Sequence, residues 1–101
     1  MDEKKEQTGL DIELPDKWAE GTYTNFSIIA HSNSEFVIDF VRIIPGMPKG
    51  RIKARMVLNP THAKQFSELM QRQIHLYEKQ FGEIHVPGEL IINIDKPVGQ
   101  A

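Results

Sequence analysis

The chain has 101 residues, a formal net charge of -2 and no cysteine. Its length fits one domain with a small core. Its small net charge gives no reason to expect a general polyanion binder. Because the chain has no thiols, disulfides and zinc sites built on thiolates are excluded. Self-association is the remaining common way to stabilise so small a core, and we therefore expect it.

The N-terminal segment, residues 1–16, is polar and charged, and we expect it to be a flexible lead to a domain that spans residues 17–84. Its charges are not followed by an apolar run of the kind found in signal peptides. No apolar segment has the roughly 20 residues that a membrane-spanning helix needs. These features, together with the lack of cysteine, predict a cytoplasmic protein.

Two alternating segments, residues 23–31 and 35–44, predict a β-hairpin. Along both segments the residues of one face are largely apolar and alternate with those of the other face, and this period of two residues is typical of a strand. The Ser and Asn residues at 32–34 are typical of a turn. A three-residue loop at this point would place Ile28 opposite Ile38, like facing like, and we predict that register.

The rest of the predicted domain is one more strand and one helix. A loop rich in Pro and Gly at 45–50 is followed by an alternating strand at 51–58. Asn59 and Pro60 are typical of the cap and first turn of a helix, and Gly82 is typical of the residue after its end. Between these positions, apolar residues recur every three or four places, as in an amphipathic helix: Ala63, Phe66, Leu69, Met70, Ile74, Tyr77 and Phe81.

This order of elements predicts an α+β fold, in which a three-stranded antiparallel sheet carries one long amphipathic helix packed on one face. The C-terminal extension, residues 85–101, has strand character at 89–94. It could add a fourth strand to the sheet, pair with the edge strand of a partner, or remain loose.

The two faces of the predicted sheet differ in what covers them. The helix-side face is predicted to hold the core: Phe26, Ile28, Ala30, Phe36, Ile38, Phe40, Ile52, Ala54, Met56 and Leu58. The helix-free face has no second helix to cover it, yet it carries five large apolar residues: Tyr23, Ile29, Val37, Val41 and Val57. Exposed apolar patches mark interfaces, so we predict that a second copy of the chain, or another protein partner, binds this face. The alternative is that the N-terminal lead or the C-terminal tail covers it.

A row of basic residues on the third strand, Arg51, Lys53 and Arg55, is the second candidate site. Every other residue of a strand points to the same side at intervals of about 7 Å, comparable to phosphate spacing in nucleic acid. The alternative function is therefore a nucleic-acid or polyanion-binding module. An ion pair with Asp39, or a solubilising role, would account for the same residues.

The sequence contains no pattern typical of an enzyme. Its histidines stand in no metal-ligating spacing, no Gly-x-Ser-x-Gly elbow surrounds its serines, and no Gly-rich phosphate loop is present. We therefore predict a non-enzymatic protein with no catalytic residue, metal or cofactor.

Four short motifs stand out along the predicted elements: Tyr23-x-Asn25, His31-Ser32-x-Ser34-Glu35-Phe36-Val37-x-Asp39-Phe40, Asn59-Pro60-x-His62-Ala63-Lys64 and Tyr77-Glu78-x-Gln80-Phe81-Gly82. Through these motifs and the Pro-rich loop at 45–50, the segment 12–84 resembles a bacterial and archaeal family known as domain of unknown function 3467. The resemblance implies a small stand-alone protein whose relatives usually end near residues 81–84. It implies no established activity, and therefore no catalytic residues.

Overall fold

The computed structural model of the chain describes residues 9–88. A single 3₁₀ turn at Asp16–Trp18 precedes three strands, β1 (Phe26–His31), β2 (Phe36–Arg42) and β3 (Arg51–Leu58), and one helix, α1 (Pro60–Phe81). The strands form one antiparallel sheet in the order β1-β2-β3. This arrangement confirms the predicted α+β fold with a three-stranded sheet and one long helix. The strand character at 89–94 lies outside the described residues, as do residues 1–8 of the lead.

The loop between β1 and β2 is one residue longer than predicted. His31 pairs with Phe36, so the loop contains four residues. The Ser32 hydroxyl accepts hydrogen bonds from the backbone N–H groups of Ser34 and Glu35, both at 3.3 Å. The Ser32 N–H in turn donates to the Glu35 carbonyl at 2.9 Å. These bonds satisfy the polar backbone of the loop locally, which stabilises a turn of this length.

The longer loop shifts the register of β1 by one residue. Ile29 lies opposite Ile38, and Ile28 lies opposite Asp39. Because strand side chains alternate between the two faces, a shift of one residue moves every side chain of β1 to the other face. The predicted pairing of Ile28 with Ile38 is therefore wrong, and so is the assignment of β1 residues to faces.

The observed register defines the two faces of the sheet. The helix-side face carries Ile29, Phe36, Ile38, Phe40, Ala54, Met56 and Leu58. The helix-free face carries Phe26, Ile28, Ala30, Val37, Asp39, Val41, Arg55 and Val57. Three residues predicted for the helix-side core, Phe26, Ile28 and Ala30, thus lie on the helix-free face. Ile29, predicted for the helix-free face, lies on the helix side.

A β-bulge interrupts the pairing of β2 with β3. Phe40 pairs with Ala54, but the next residue, Val41, pairs with Ile52, so Lys53 is the additional residue. A bulge breaks the regular alternation of side chains along the strand that contains it. Ile52, predicted for the helix-side face, accordingly lies opposite Val41 on the helix-free face.

The helix α1 begins and ends at the predicted residues. The Asn59 side chain accepts a hydrogen bond from the His62 N–H at 2.7 Å, and Pro60 occupies the first turn. At the other end, Gly82 has a φ of 103° and donates its N–H to the Glu78 carbonyl at 2.9 Å. Residues other than glycine are strained at such a positive φ, so glycine suits the point where the chain leaves the helix.

The core lies along β2 and at the end of β3. Among the described residues, the buried apolar side chains are Val37, Ile38, Val41 and Leu58, and Asp39 is buried with them. No residue of α1 is buried. The helix therefore lies beside the sheet without shielding its own apolar side from water, and the core is small even for a chain of this length.

Candidate interaction surfaces

The predicted interface residues differ in both face and exposure. Val37 and Val41 are only 8% and 6% exposed, so they have little surface left for a partner. Val57, on the same face, is 56% exposed. Ile29 is also exposed but lies on the helix-side face, and exposed Tyr23 precedes β1. The helix-free face is thus less open to a partner than the sequence pattern indicates.

A long exposed apolar surface runs along α1. Its large residues, each between 38% and 65% exposed, are called the apolar stripe here: Phe66, Met70, Ile74, Tyr77 and Phe81. At 100° per residue, their spacing keeps them within about 80° of one another around the helix. The rings of Tyr77 and Phe81 lie 5.0 Å apart between centroids. Leu69 and Leu76, both half exposed, widen the apolar surface on one side of the stripe.

An open groove separates the N-terminal half of α1 from the helix-side face of the sheet. It has a volume of about 450 Å³. Its apolar lining comes from both sides: Ile29, Phe36, Ile38, Pro60, Ala63, Phe66 and Met70. Ile29 and Met70 on its opposite walls are both more than half exposed. The groove and the apolar stripe therefore form one continuous apolar region that the described part of the chain leaves uncovered.

The helix-free face contains an ion pair between a buried carboxylate and a half-exposed guanidinium. Arg55 Nε donates to Asp39 Oδ1 at 2.7 Å, and Arg55 Nη2 donates to Asp39 Oδ2 at 2.9 Å. The Asp39 side chain is 1% exposed and that of Arg55 is 48% exposed. The hydrogen bond with Asp39 raises the pKa of the Arg55 guanidinium, and the charge of Asp39 adds to this, although burial acts in the opposite direction. Arg55 is therefore neutralised by Asp39.

The β-bulge divides the predicted row of basic residues. Arg55 lies opposite Asp39 on the helix-free face, whereas Arg51 lies opposite Arg42 on the helix-side face. Lys53, between them, is the bulge residue. The three residues therefore do not form the single row at regular intervals that the sequence predicts.

Two of these residues instead belong to a different cluster, at the loop between β2 and β3. Its four basic residues line a recess of about 750 Å³, called the basic recess here: Arg42, Lys49, Arg51 and Lys53. The Arg42 guanidinium carbon lies 5.3 Å from the centre of the Tyr23 ring. Sequence reasoning missed Arg42 and Lys49, because only the register of β2 with β3 shows that Arg42 faces Arg51.

Other polar side chains are engaged in local structural contacts. Asn25 Nδ2 donates to the Ile43 carbonyl at 2.9 Å, and Asn25 Oδ1 accepts from the Ile43 N–H at 2.8 Å. The His31 ring stacks on Phe36, with centroids 5.4 Å apart. Within residues 9–88, no group of three or more His, Asp and Glu side chains could hold a metal ion. In the same range, no helix combines the length and the apolar character needed to cross a membrane.

Comparison with known proteins identifies a family. The family model described as protein of unknown function (DUF3467) matches residues 1–86. This match confirms the resemblance of the sequence motifs and extends it to the N-terminal lead. No curated protein and no solved structure matches the chain.

Proposed function

This chain belongs to the DUF3467 family of proteins of unknown function, and we propose that it is a non-enzymatic domain that works as a homodimer, with the apolar stripe of α1 at the interface. The observation that carries the proposal is that none of the 22 residues of α1 is buried, although the helix has a long apolar side. A helix with an apolar stripe gains its stability in a protein by burying that stripe. A partner that covers the stripe would complete this packing.

The exposed area is that of a stable dimer. Large apolar side chains present about 150–250 Å² each, and those of the stripe are roughly half exposed. Together with Leu69, and with the exposed Ile29 and Met56 of the helix-side face, the stripe exposes on the order of 700–800 Å². A standard interface buries about 800 Å² on each partner, so one such surface per protomer is sufficient.

The stripe is also complementary to a second copy of itself. Phe66 and Phe81 stand at equal distances from the midpoint of the stripe, between residues 73 and 74, and so do Met70 and Tyr77. An antiparallel pairing about a two-fold axis at this midpoint would set Phe66 against the partner's Phe81, and Met70 against the partner's Tyr77. Such a pairing would bring together large apolar groups along the whole helix. This symmetry supports a second copy as the partner.

The charges of α1 do not oppose this pairing. At 100° per residue, Glu68, Arg72 and Lys79 lie on the side of the helix opposite the stripe. Lys64 and Glu78 lie about 80° and about 40° beyond the edge of the stripe, and the Glu78 carboxylate accepts a hydrogen bond from the Ile84 N–H at 3.0 Å. The positions that flank the stripe include uncharged Ser67 and Gln73. Two stripes could therefore meet without burying unpaired charges, which would be costly.

The non-enzymatic part of the proposal is supported by the roles of the fixed polar side chains. Asn25 pairs with the backbone of Ile43, Ser32 holds the hairpin loop, and Asn59 caps α1. The Asp39 carboxylate is paired with Arg55. Each of these groups stabilises local structure, which supports a structural role for it.

The experiment that tests the dimer compares charged substitutions on the two faces. We expect the wild type to sediment as a dimer, at twice the 11.6 kDa of one chain, at micromolar concentration. Tyr77→Glu should shift it to monomer, because each new carboxylate would be buried without a partner charge against the partner's Met70. Val57→Glu is the matched control: Val57 is 56% exposed and Tyr77 50%, but Val57 lies on the helix-free face. Dissociation by Val57→Glu alone, or a wild type that is monomeric throughout, would contradict the proposal.

A crosslinking experiment keeps the test informative if Tyr77→Glu does not fold. The chain has no cysteine, so a single introduced thiol reports on one position. Gln73→Cys lies near the proposed axis, and a short bismaleimide should link two copies of this variant efficiently. Glu68→Cys, on the opposite side of the helix, should give little crosslinked product. Equal crosslinking of both variants would count against the proposed interface.

A further inference from the structure

The basic recess contains an electrostatic repulsion that nothing in its lining relieves. Arg42 and Arg51 are direct cross-strand partners, and like charges in this position destabilise a sheet. Lys49 and Lys53 line the same recess, and its lining contains no carboxylate. An anion bound among these four cations would convert the repulsion into attraction.

Arg42 is held in position before any ligand arrives. Its guanidinium lies over the ring of Tyr23 in a cation–π contact, with the guanidinium carbon 5.3 Å from the ring centre. The two hydrogen bonds between Asn25 and the backbone of Ile43 fix the chain directly beside it. A cation–π contact uses the charge of the guanidinium and no hydrogen-bond acceptor, so the N–H groups of Arg42 stay available as donors for oxyanions.

The loop between β2 and β3 is also held close to the sheet. A Cβ atom added at Gly50 would lie 3.1 Å from Val41 Cγ1 and 3.4 Å from Ile43 Cγ1, so the backbone makes a close approach that a side chain would disturb. This approach sets the positions of Lys49 and Arg51 on either side of Gly50. The bulge at Lys53 redirects a further cation, as bulges near binding sites commonly do.

The shape and lining of the recess favour a compact ligand. Its volume of about 750 Å³ lies within the range of small-molecule sites, about 300–1,000 Å³. The cations share the recess with four apolar residues: Ile44, Met47, Pro48 and Ile52. A ligand that combines several negative charges with a flat apolar group would use both parts of this lining. An extended polyanion would gain less, because Arg55, the next cation along β3, lies on the other face and is paired with Asp39.

We propose that the basic recess binds a soluble phosphorylated small molecule of the nucleotide class, with its phosphates on Arg42, Lys49, Arg51 and Lys53 and its base against the apolar wall. This site differs from the polyanion-binding row predicted from the sequence, because it contains Arg42 and Lys49 and lacks Arg55. It also lies outside the apolar stripe. The binding of a nucleotide and the dimerisation of the chain are therefore tested independently.

Calorimetric titration of the wild-type protein at low salt tests the proposal with three probes: ATP, inorganic tripolyphosphate and adenosine. We expect ATP to bind most tightly, tripolyphosphate more weakly and adenosine not measurably, because both parts of the lining contribute. Arg51→Ala should weaken ATP binding at least tenfold. Arg72→Ala, which removes an exposed cation from α1, should change it less than twofold.

Three results would overturn the proposal. They are the absence of binding at millimolar ATP, an equal loss of affinity in Arg51→Ala and Arg72→Ala, and binding of a mixed oligonucleotide by a protein that does not bind ATP. The last result would instead support a nucleic-acid-binding function.

A second readout concerns folding: without ligand, Arg51→Ala should unfold at a higher temperature than the wild type, because it removes the repulsion with Arg42.

Discussion

Asp39 is the residue in which burial and charge conflict most strongly. It lies in the middle of the central strand, opposite Ile28 on one side and Arg55 on the other. Its carboxylate is 1% exposed, and the described structure gives it Arg55 as its ion-pair partner. A buried carboxylate is tolerated only when it is paired. This pair also favours the observed register, since a shift of β3 by one residue would leave the carboxylate unpaired.

The first prediction concerns the asymmetry of this pair. Arg55→Met should lower the urea midpoint of unfolding more than Asp39→Asn does, because it leaves a buried carboxylate without a partner. In Asp39→Asn, the remaining guanidinium is half exposed and can be hydrated by water. Arg51→Met, which removes a cation that faces no carboxylate, is the control and should not lower the midpoint. Similar urea midpoints for the Arg55 and Asp39 variants would show that the Asp39 carboxylate is not buried in solution.

The cationic member of the pair is expected to keep its charge over the whole working range of pH. The hydrogen bond with Asp39 raises the pKa of Arg55 above its already high ordinary value. A base whose pKa is raised by folding contributes its full stabilisation below the unfolded-state pKa and loses it only as the pH rises through the folded-state pKa. Deprotonation of Arg55 therefore does not weaken the pair at physiological pH, and only strong alkali would do so.

At the scale of elements, α1 depends on its N-terminal cap. The Asn59 side chain satisfies the N–H of His62, one of the backbone donors that the first turn of a helix leaves without a helical partner. Because no residue of the helix is buried within the described chain, tertiary packing gives it little additional support. Local features such as the cap therefore matter more here than in a helix that is packed into a core.

The second prediction is that Asn59→Ala destabilises the protein by about 1 kcal/mol. The loss should appear as a lower urea midpoint and as reduced helical circular dichroism. Asn59→Asp is the matched control, because its carboxylate can accept the same hydrogen bond and interacts favourably with the helix dipole. If Asn59→Asp and Asn59→Ala lost equal stability, the side-chain oxygen would not be the cause.

At the scale of the whole molecule, the stability of the fold is expected to depend on association. The buried apolar side chains in the described residues are four, all on β2 and β3. A core of this size gives a small domain little stability by itself. In the proposed homodimer, the two apolar stripes would pack against each other and form an additional apolar core between the copies.

The third prediction follows from mass action. If folding and dimerisation are coupled, a tenfold increase in protein concentration should stabilise the folded dimer by about 1.4 kcal/mol. The thermal midpoint should then rise by a few degrees for each tenfold step between micromolar and hundreds of micromolar. Tyr77→Glu should show no such dependence. A wild-type midpoint that is independent of concentration would mean that the single chain is stable without a partner.

The sequence by itself determined the elements and the ends of the helix. Asn59, Pro60 and Gly82 act through contacts within a few residues, so their roles can be predicted without knowledge of the rest of the fold. The alternating strands and the family motifs belong to the same class of local evidence. These features were sufficient for the fold class and for the family.

Only the tertiary structure decided which side chains share a surface. Strand side chains alternate with a period of two, so one additional residue in the Ser32 loop transferred Ile29 to the helix side. One bulge residue, Lys53, separated Arg51 from Arg55 and left Arg51 facing Arg42. The length of the hairpin loop and the position of the bulge are defined by pairing between strands, which a pattern within one strand does not specify. The basic recess therefore became visible only with the observed register. The residues of the apolar stripe were predicted from the helical spacing, but only the tertiary structure shows that they are exposed.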